Sequence, residues 1–265
     1  MTHRYTANYH THTALCNHAD GEIREYVTAA IEAGLATLGF SCHAPYPFKN
    51  GYRSWFRMLP EEAKGYVDEI FALREEFRGQ IDIKLGYEAE YYPAHFADLL
   101  DHVNALGCDY IILGQHFVNN EHDGDYCGDS KEGLAHVDPY VRQVTEAMRL
   151  GVYTYFAHPD LPPDMGQTEL YLEKMSEICR VSLETDTPLE INILGIQGRR
   201  QYPNDDFWRM VGEYGCKTVI GFDAHSPKAL LDREALDKAF AMVEKYKLNF
   251  VEGELPLKRP VLVTK

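Results

Sequence analysis

Tyr5-Thr-Ala-Asn-Tyr-His-Thr-His12 is the stretch on which the fold turns. Its apolar-leaning start suits a β-strand, and the run stops at two imidazoles spaced i and i+2. Side chains alternate along a strand, so His10 and His12 project to the same side and can bind one metal from there. The pattern returns further along the chain. Short β-branched or aromatic runs occur at 37–41, 81–87, 110–115, 153–157, 188–192 and 218–222. Most stop at a nitrogen or oxygen donor: His43 after Phe40-Ser-Cys, Glu88 after Leu85-Gly-Tyr and His116 after Leu113-Gly-Gln. His158 follows Tyr155-Phe-Ala, and Asp223 and His225 follow Ile220-Gly-Phe. One such end could be chance; several that converge describe a multinuclear metal centre.

Between the runs lie segments with helical apolar spacing. The first is opened by Asp20 as an N-cap and carries Ile23, Val27, Ile31 and Leu35 on one face. The second begins near Pro60-Glu61-Glu62, a proline and acids suited to a first turn, and shows Tyr66, Ile70 and Leu73. Further helices fit 96–106, 139–150, 169–185, 205–214 and 228–245. Strands alternating with helices imply a parallel sheet, because parallel neighbours need a crossover connection. Donors at the carboxyl ends of the strands imply that those ends meet. An open sheet would spread them along an edge, whereas a closed barrel gathers them at one mouth. The expectation is therefore an α/β fold, a distorted (β/α)7 barrel forming a single domain over 1–265, with the eight-stranded form as its nearest alternative. The long segments 45–59, with Tyr46, Phe48, Tyr52, Trp55, Phe56 and three basic residues, and 117–136, rich in Asn, Asp and Gly, are candidate lids at that mouth.

Composition narrows the partners. Twenty-six basic against 41 acidic residues give a formal net charge of −15, which argues against nucleic acid, since phosphate-backbone binding needs a concentrated basic surface. A small phosphorylated substrate stays open, because bound divalent cations invert the local charge. Cys16, Cys42, Cys108, Cys127, Cys179 and Cys216 show no C-x-x-C spacing, so buried thiols in a reducing cytoplasm are expected. There is no apolar leader and no run long enough to span a bilayer, so no membrane partner is expected. Oligomeric state is not legible in one sequence.

Imidazole with carboxylate suits Zn²⁺, Fe²⁺ or Mn²⁺ better than Mg²⁺ or Ca²⁺. A cluster of such ions is suited to phosphate-ester hydrolysis, in which it clamps the oxygens of an in-line displacement. The ordered set His-x-His, Asn17-His-Ala, Ser41-Cys-His-Ala-Pro, Gly86-Tyr-Glu-Ala-Glu-Tyr, Gly114-Gln-His-Phe, Ala157-His-Pro-Asp and Asp223-Ala-His resembles the polymerase-and-histidinol-phosphatase (PHP) family. The string Leu189-Glu-Ile-Asn-Ile-Leu-Gly-Ile, with Arg199-Arg200 and Tyr202-Pro203, resembles its histidinol-phosphatase branch.

That resemblance implies three divalent transition-metal ions. His10, His12, Glu88 and Asp223 would hold the first, and Glu88 would bridge to a second completed by His116 and His158. His18, His43 and His225 would hold the third. It implies further that a hydroxide held by Glu88, Asp223, His116 and His158 is the nucleophile, and that L-histidinol phosphate is the substrate, in histidine biosynthesis. Another small phosphoester, such as a nucleotide or phosphotyrosine, and a metal-binding module without turnover are the alternatives.

Several assignments have competitors. Glu90 shares the i, i+2 side of the strand with Glu88 and would be a supporting or substrate-contacting residue. Asn192 would orient water or substrate, or cap a loop. Arg199 and Arg200 both offer a guanidinium fork for phosphate, with Arg53 and Arg57 as weaker candidates. Asp160 would take an imidazole or ammonium, or serve a turn. His3, His95, His102, His122 and His136 lack a strand-end setting and are expected to be structural or solvated.

Overall fold

Four strands pair in sequence order into a parallel sheet in the computed structural model, which describes residues 4–130 and 134–262. These are β1 (Ala7–Asn8), β2 (Thr37–Phe40), β3 (Asp82–Ala89) and β4 (Tyr110–Leu113). A second parallel set is formed by β5 (Leu189–Asn192), β6 (Lys217–Gly221) and β7 (Asn249–Phe250), in that order. The 153–157 run joins the two sets. Phe156 bridges Leu113 on one side and Leu189 on the other, and the Ala157 N–H donates to the Leu113 carbonyl at 2.8 Å. It forms no longer ladder because His158 turns the chain with φ 34° and Pro159 has no N–H to give. The ring closes where Thr11 bridges Ala224. The result is the expected α/β barrel, curled and parallel, with its donors at the carboxyl ends of the strands.

The seam between β1 and β6 departs from a regular ladder. Only two residues of the expected 5–10 strand pair with β2, namely Ala7 with Thr37 and Asn8 with Leu38. The Asn8 side chain replaces the missing backbone pairing. Its Oδ1 accepts from the Phe222 N–H at 2.9 Å, and its Nδ2 donates to the His10 carbonyl at 3.1 Å and to Thr11 Oγ1 at 2.8 Å. The short strand β7, absent from the sequence-based expectation, takes the far end of β6 through Lys217–Asn249 and Thr218–Phe250.

The helices pack outside: α1 (Ile23–Ala33), α2 (Ala63–Glu76), α3 (Phe96–Ala105), α4 (Val137–Arg149), α5 (Thr168–Thr185), α6 (Ile193–Gly198), α7 (Asp205–Tyr214) and α8 (Arg233–Tyr246). Two boundaries differ from expectation. The N-cap of α1 is Glu22, not Asp20, because Glu22 and Glu25 form a reciprocal capping box. The 228–245 segment divides into a 3₁₀ turn, Pro227–Leu231, and α8, since the Asp232 side chain caps a new helix by accepting from the Ala235 N–H at 2.9 Å. The short helix α6 was not expected. No described helix is long and apolar enough to cross a membrane.

Candidate metal centre

The end of β1 delivers His10 and His12 side by side, both fully buried, with their Nε2 atoms 3.3 Å apart. Glu88, one residue before the end of β3, reaches between five imidazoles. Its Oε1 lies 2.8 Å from His158 Nε2 and 3.7 Å from the Nε2 atoms of His10 and His116. Its Oε2 lies 3.0 Å from His43 Nδ1 and 3.4 Å from His12 Nε2. Asp223, just past β6, places Oδ1 3.1 Å from His12 Nε2 and 3.4 Å from both His10 Nε2 and His225 Nδ1. The exposed His18 ring completes the cluster, 4.8 Å from that of His225 and 5.4 Å from that of His43. All of the expected donors therefore meet at one rim.

The backbone is shaped to bring them there. His158 and Asp223 hold φ of 34° and 50°, left-handed values that cost non-glycine residues energy and that collect at functional sites. Gly114 clears the space for Glu88, since a Cβ there would stand 1.9 Å from Glu88 Oε1. Gly221 does the same for Glu190, whose Oε1 would be 1.8 Å from an added Cβ.

The donor set fits a cation. The Nε2 atoms of His10 and His12, 3.3 Å apart, are satisfied either by one proton shared between them or by a cation that both lone pairs can ligate. His43 Nδ1 and Asp223 Oδ1 are buried without a hydrogen-bond partner: each has a near neighbour, but none aligned for a bond. Buried polar atoms rarely stay unpaired unless an ion or water serves them. Charge points the same way. Burial would raise the Glu88 and Asp223 carboxyls, yet the surrounding imidazoles hold both well below the usual carboxylate range. Burial also lowers His12, but Asp223 outweighs it and pushes the imidazole up to about 9. His225 is driven down to about 3 by burial and by the neighbouring His12. Protons and cations thus compete for one tightly coupled space.

Donor atoms within 4.8 Å of one another include the sets His10–His12–Glu88, His10–His158–Asp223 and His12–His43–His225. The first matches the grouping implied by the family pattern. The other two cross it: His158 joins His10 and Asp223, and His12 joins His43 and His225, on which it stacks with centroids 4.1 Å apart. Cys16 and Cys42, expected as buried fillers, also lie against His12, their sulfurs within the same 4.8 Å.

Several expected substrate contacts are engaged elsewhere. Glu90 is fully buried, with Oε1 3.0 Å from His116 Nδ1 and Oε2 3.0 Å from Arg57 Nη2, so it braces a ligand rather than facing the cavity. Asn192 caps α6 through the Gly195 N–H and donates to Asp223 Oδ2 at 3.1 Å. Asp160 accepts from the Asn204 N–H at 2.6 Å and from Trp208 Nε1 at 3.0 Å, which fixes the loop before α7. Arg199 is exposed at the αL cap of α6, and Arg57 is buried in ion pairs. Arg200 is the guanidinium that lines the cavity, and its Nη1 donates to the Tyr202 hydroxyl at 3.0 Å.

That cavity, about 590 Å³, opens over the donors. It is lined by the donors His18, His43, Glu88, His116, Asp223 and His225 together with Trp55, Phe56, Phe117, Tyr126, Asp129 and Tyr202. The long loops thus form its walls. Of the remaining histidines, His95 precedes α3, His136 is buried with Nε2 3.2 Å from the Pro163 carbonyl, and His3 lies outside the described residues.

Glu190 is the site residue that sequence reasoning missed. It is fully buried on β5, with Oε1 2.9 Å from His10 Nδ1 and Oε2 accepting from the His158 N–H at 3.2 Å. The signal was an acid between Leu189 and Ile191: in a strand covered on both faces it cannot reach water. Tyr126, Asp129 and Tyr202 carry no such signal, since loop positions show no periodicity.

Residues 8–193 match the PHP domain family. A protein of Deinococcus radiodurans named probable histidinol-phosphatase is 32% identical over 226 residues, covering 82% of this chain and 85% of its own. The histidinol-phosphatase of Lactococcus lactis is 24% identical over 257 residues, covering 90% of each chain. Among solved structures, the Lactococcus lactis histidinol phosphate phosphatase, complexed with zinc, L-histidinol and phosphate, shares the fold with a TM-score of 0.71. That match has 22% identity and covers 93% of this chain and 95% of the other.

Proposed function

The chain belongs to the PHP domain family, and on that premise we infer that it is a metal-dependent phosphomonoesterase, hydrolysing L-histidinol phosphate to L-histidinol and phosphate in histidine biosynthesis. The observation that carries this reading is a single cavity lined both by members of the donor cluster and by Arg200. His10, His12, His18, His43, Glu88, His116, His158, Asp223 and His225 would hold three divalent transition-metal ions, zinc, iron or manganese. When bound, such ions polarise phosphoryl oxygens and supply a water acidic enough to attack near neutral pH.

The chain's own residues do the rest. Arg200, steadied by Tyr202, offers a charged fork to the phosphate. Asp129 lines the same cavity and would take the substrate's ammonium or imidazolium, while Trp55, Phe56 and Phe117 offer ring faces to the imidazole. The loops shield the reacting groups from bulk water. Glu190 and Glu90 hold His10 and His116 in the orientation that presents Nε2 to the cluster. The whole chain works as one unit of this type, in the cytoplasm, on a small phosphorylated substrate.

The test is phosphate release by the Mn²⁺- or Zn²⁺-supplemented protein from histidinol phosphate, nucleotides, phosphotyrosine and sugar phosphates. Histidinol phosphate should be turned over far faster than the others. Equal rates would end the substrate assignment, and bound metal with no release from any ester would favour a non-catalytic module.

A further inference from the structure

Arg57 lies where the 45–59 loop meets the 117–136 loop, and only 1% of it is exposed. Its Nε donates to Glu121 Oε2 at 2.9 Å, its Nη2 donates to the same oxygen, and its Nη1 donates to the Ala44 carbonyl at 2.7 Å. Nη2 also lies 3.0 Å from Glu90 Oε2. The guanidinium is stacked over the Phe56 ring at 4.4 Å and lies 5.4 Å from the Tyr46 centroid. Glu90 then reaches onward, with Oε1 3.0 Å from His116 Nδ1. A carboxylate at Nδ1 keeps the proton there and leaves the Nε2 lone pair, 3.7 Å from Glu88 Oε1, free for a cation.

We propose that Arg57 is a positioning residue for His116, acting through Glu90 and coupling the seating of both long loops to the geometry of one metal ligand. The proposal rests on the metal-dependent function inferred above. A burial this complete is not how a phosphate-binding arginine is kept, because both acids already occupy its fork. Without the guanidinium, Glu90 and Glu121 would be two buried carboxylates with no cation between them, and repulsion would shift Glu90 from the position in which it holds His116. Lysine does not substitute. One ammonium cannot meet the Ala44 carbonyl, Glu121 and Glu90 in the planar array that the fork provides.

The test is a double-mutant cycle on the metal-loaded protein, R57M, E90Q and R57M/E90Q, read as ions lost per chain against chelator concentration. R57M and E90Q should each lose one ion about 10–100-fold more readily, the usual cost of removing a group that orients a ligand. The double variant should be no worse than E90Q alone, because both changes cut one chain of contacts. Effects that multiply, or an R57M protein that keeps its metal like the parent, overturn the proposal. If R57M does not fold, R57K takes its place in the cycle with the same expectations. The readout needs no substrate. A wild-type protein that holds metal but spares histidinol phosphate ends the functional assignment and leaves the cycle to be judged, whereas one that binds no metal ends both.

Discussion

The buried acids at the mouth of the barrel fall into two groups. Glu88 and Asp223 face imidazole nitrogens at 2.8–3.7 Å, and Asp223 keeps one oxygen without an aligned partner. Glu90, Glu190 and Asp160 are as deeply buried, yet each faces a protein cation or N–H donor: Glu90 is ion-paired with the Arg57 guanidinium at 3.0 Å, Glu190 accepts from the His158 N–H, and Asp160 from the Asn204 N–H and Trp208 Nε1. The contrast separates two uses of a buried carboxylate. An acid given N–H donors is a bracket, whose charge is spent inside the protein. An acid surrounded by lone-pair-bearing rings is unfinished, and a cation completes it.

The sharpest way to break this contrast is to delete one member of each group. Glu88→Ala should abolish phosphate release and remove more than one ion per chain by elemental analysis, since its two oxygens reach imidazoles on opposite sides. Unchanged metal content would show that Glu88 bridges nothing. Glu190→Gln should be milder. It keeps the shape but leaves one fewer acceptor for the His10 ring, the His158 N–H and Asn192, so kcat/KM and metal retention should fall about 10–100-fold. If E190Q were as damaging as E88A, the division between finishing and bracing acids would fail.

How much of this was legible in the sequence follows the same line. His10, His12, Glu88, His116, His158 and Asp223 each interrupt an apolar run, and a polar residue where a buried strand ends must be used by something. That logic gave the donors and, through their need to meet, the barrel. It could not separate Glu88 from Glu90, because both point to one side of β3, and the choice depends on Arg57, thirty-odd residues away in a loop. Nor could it choose between Arg199 and Arg200. There the αL turn that ends α6 leaves Arg199 in solvent and brings Arg200 to the cavity. The strand expected at 5–10 shrank for a related reason: Asn8 closes the seam with its side chain, a substitution that periodicity does not register.

Arg200 tests the cavity side of the contrast. Arg200→Ala should leave the ion count unchanged, as the side chain is hydrogen-bonded to Tyr202 and not to a donor, while raising KM for the phosphoester and the inhibition constant for inorganic phosphate about tenfold. That is near the lower end of what one charge-assisted hydrogen bond contributes, roughly 1.5–3 kcal/mol. Loss of metal in R200A would place the residue in the cluster and not in the phosphate subsite.

The smallest effect concerns the acid that fixes the loop before α7. Burial raises the Asp160 carboxyl from 3.8 to about 7, against the opposing pull of the Asn204 N–H and Trp208. Its folded-state value thus lies above its unfolded one, so between these values the native protein binds a proton that the unfolded chain has released. Stability from this group is complete below about pH 4 and is lost as pH rises toward 7. Both donors use Oδ2, so Asp160→Asn, with its amide oxygen in that position, keeps the bracket and removes the titration. In urea unfolding of the two proteins, the stability of wild type relative to D160N should decline between pH 4 and pH 7 and then level off. A flat difference would mean that the two N–H donors already keep Asp160 ionised in the folded state. Asp160 would then be an ionised bracket, held by its donors against the cost of burial.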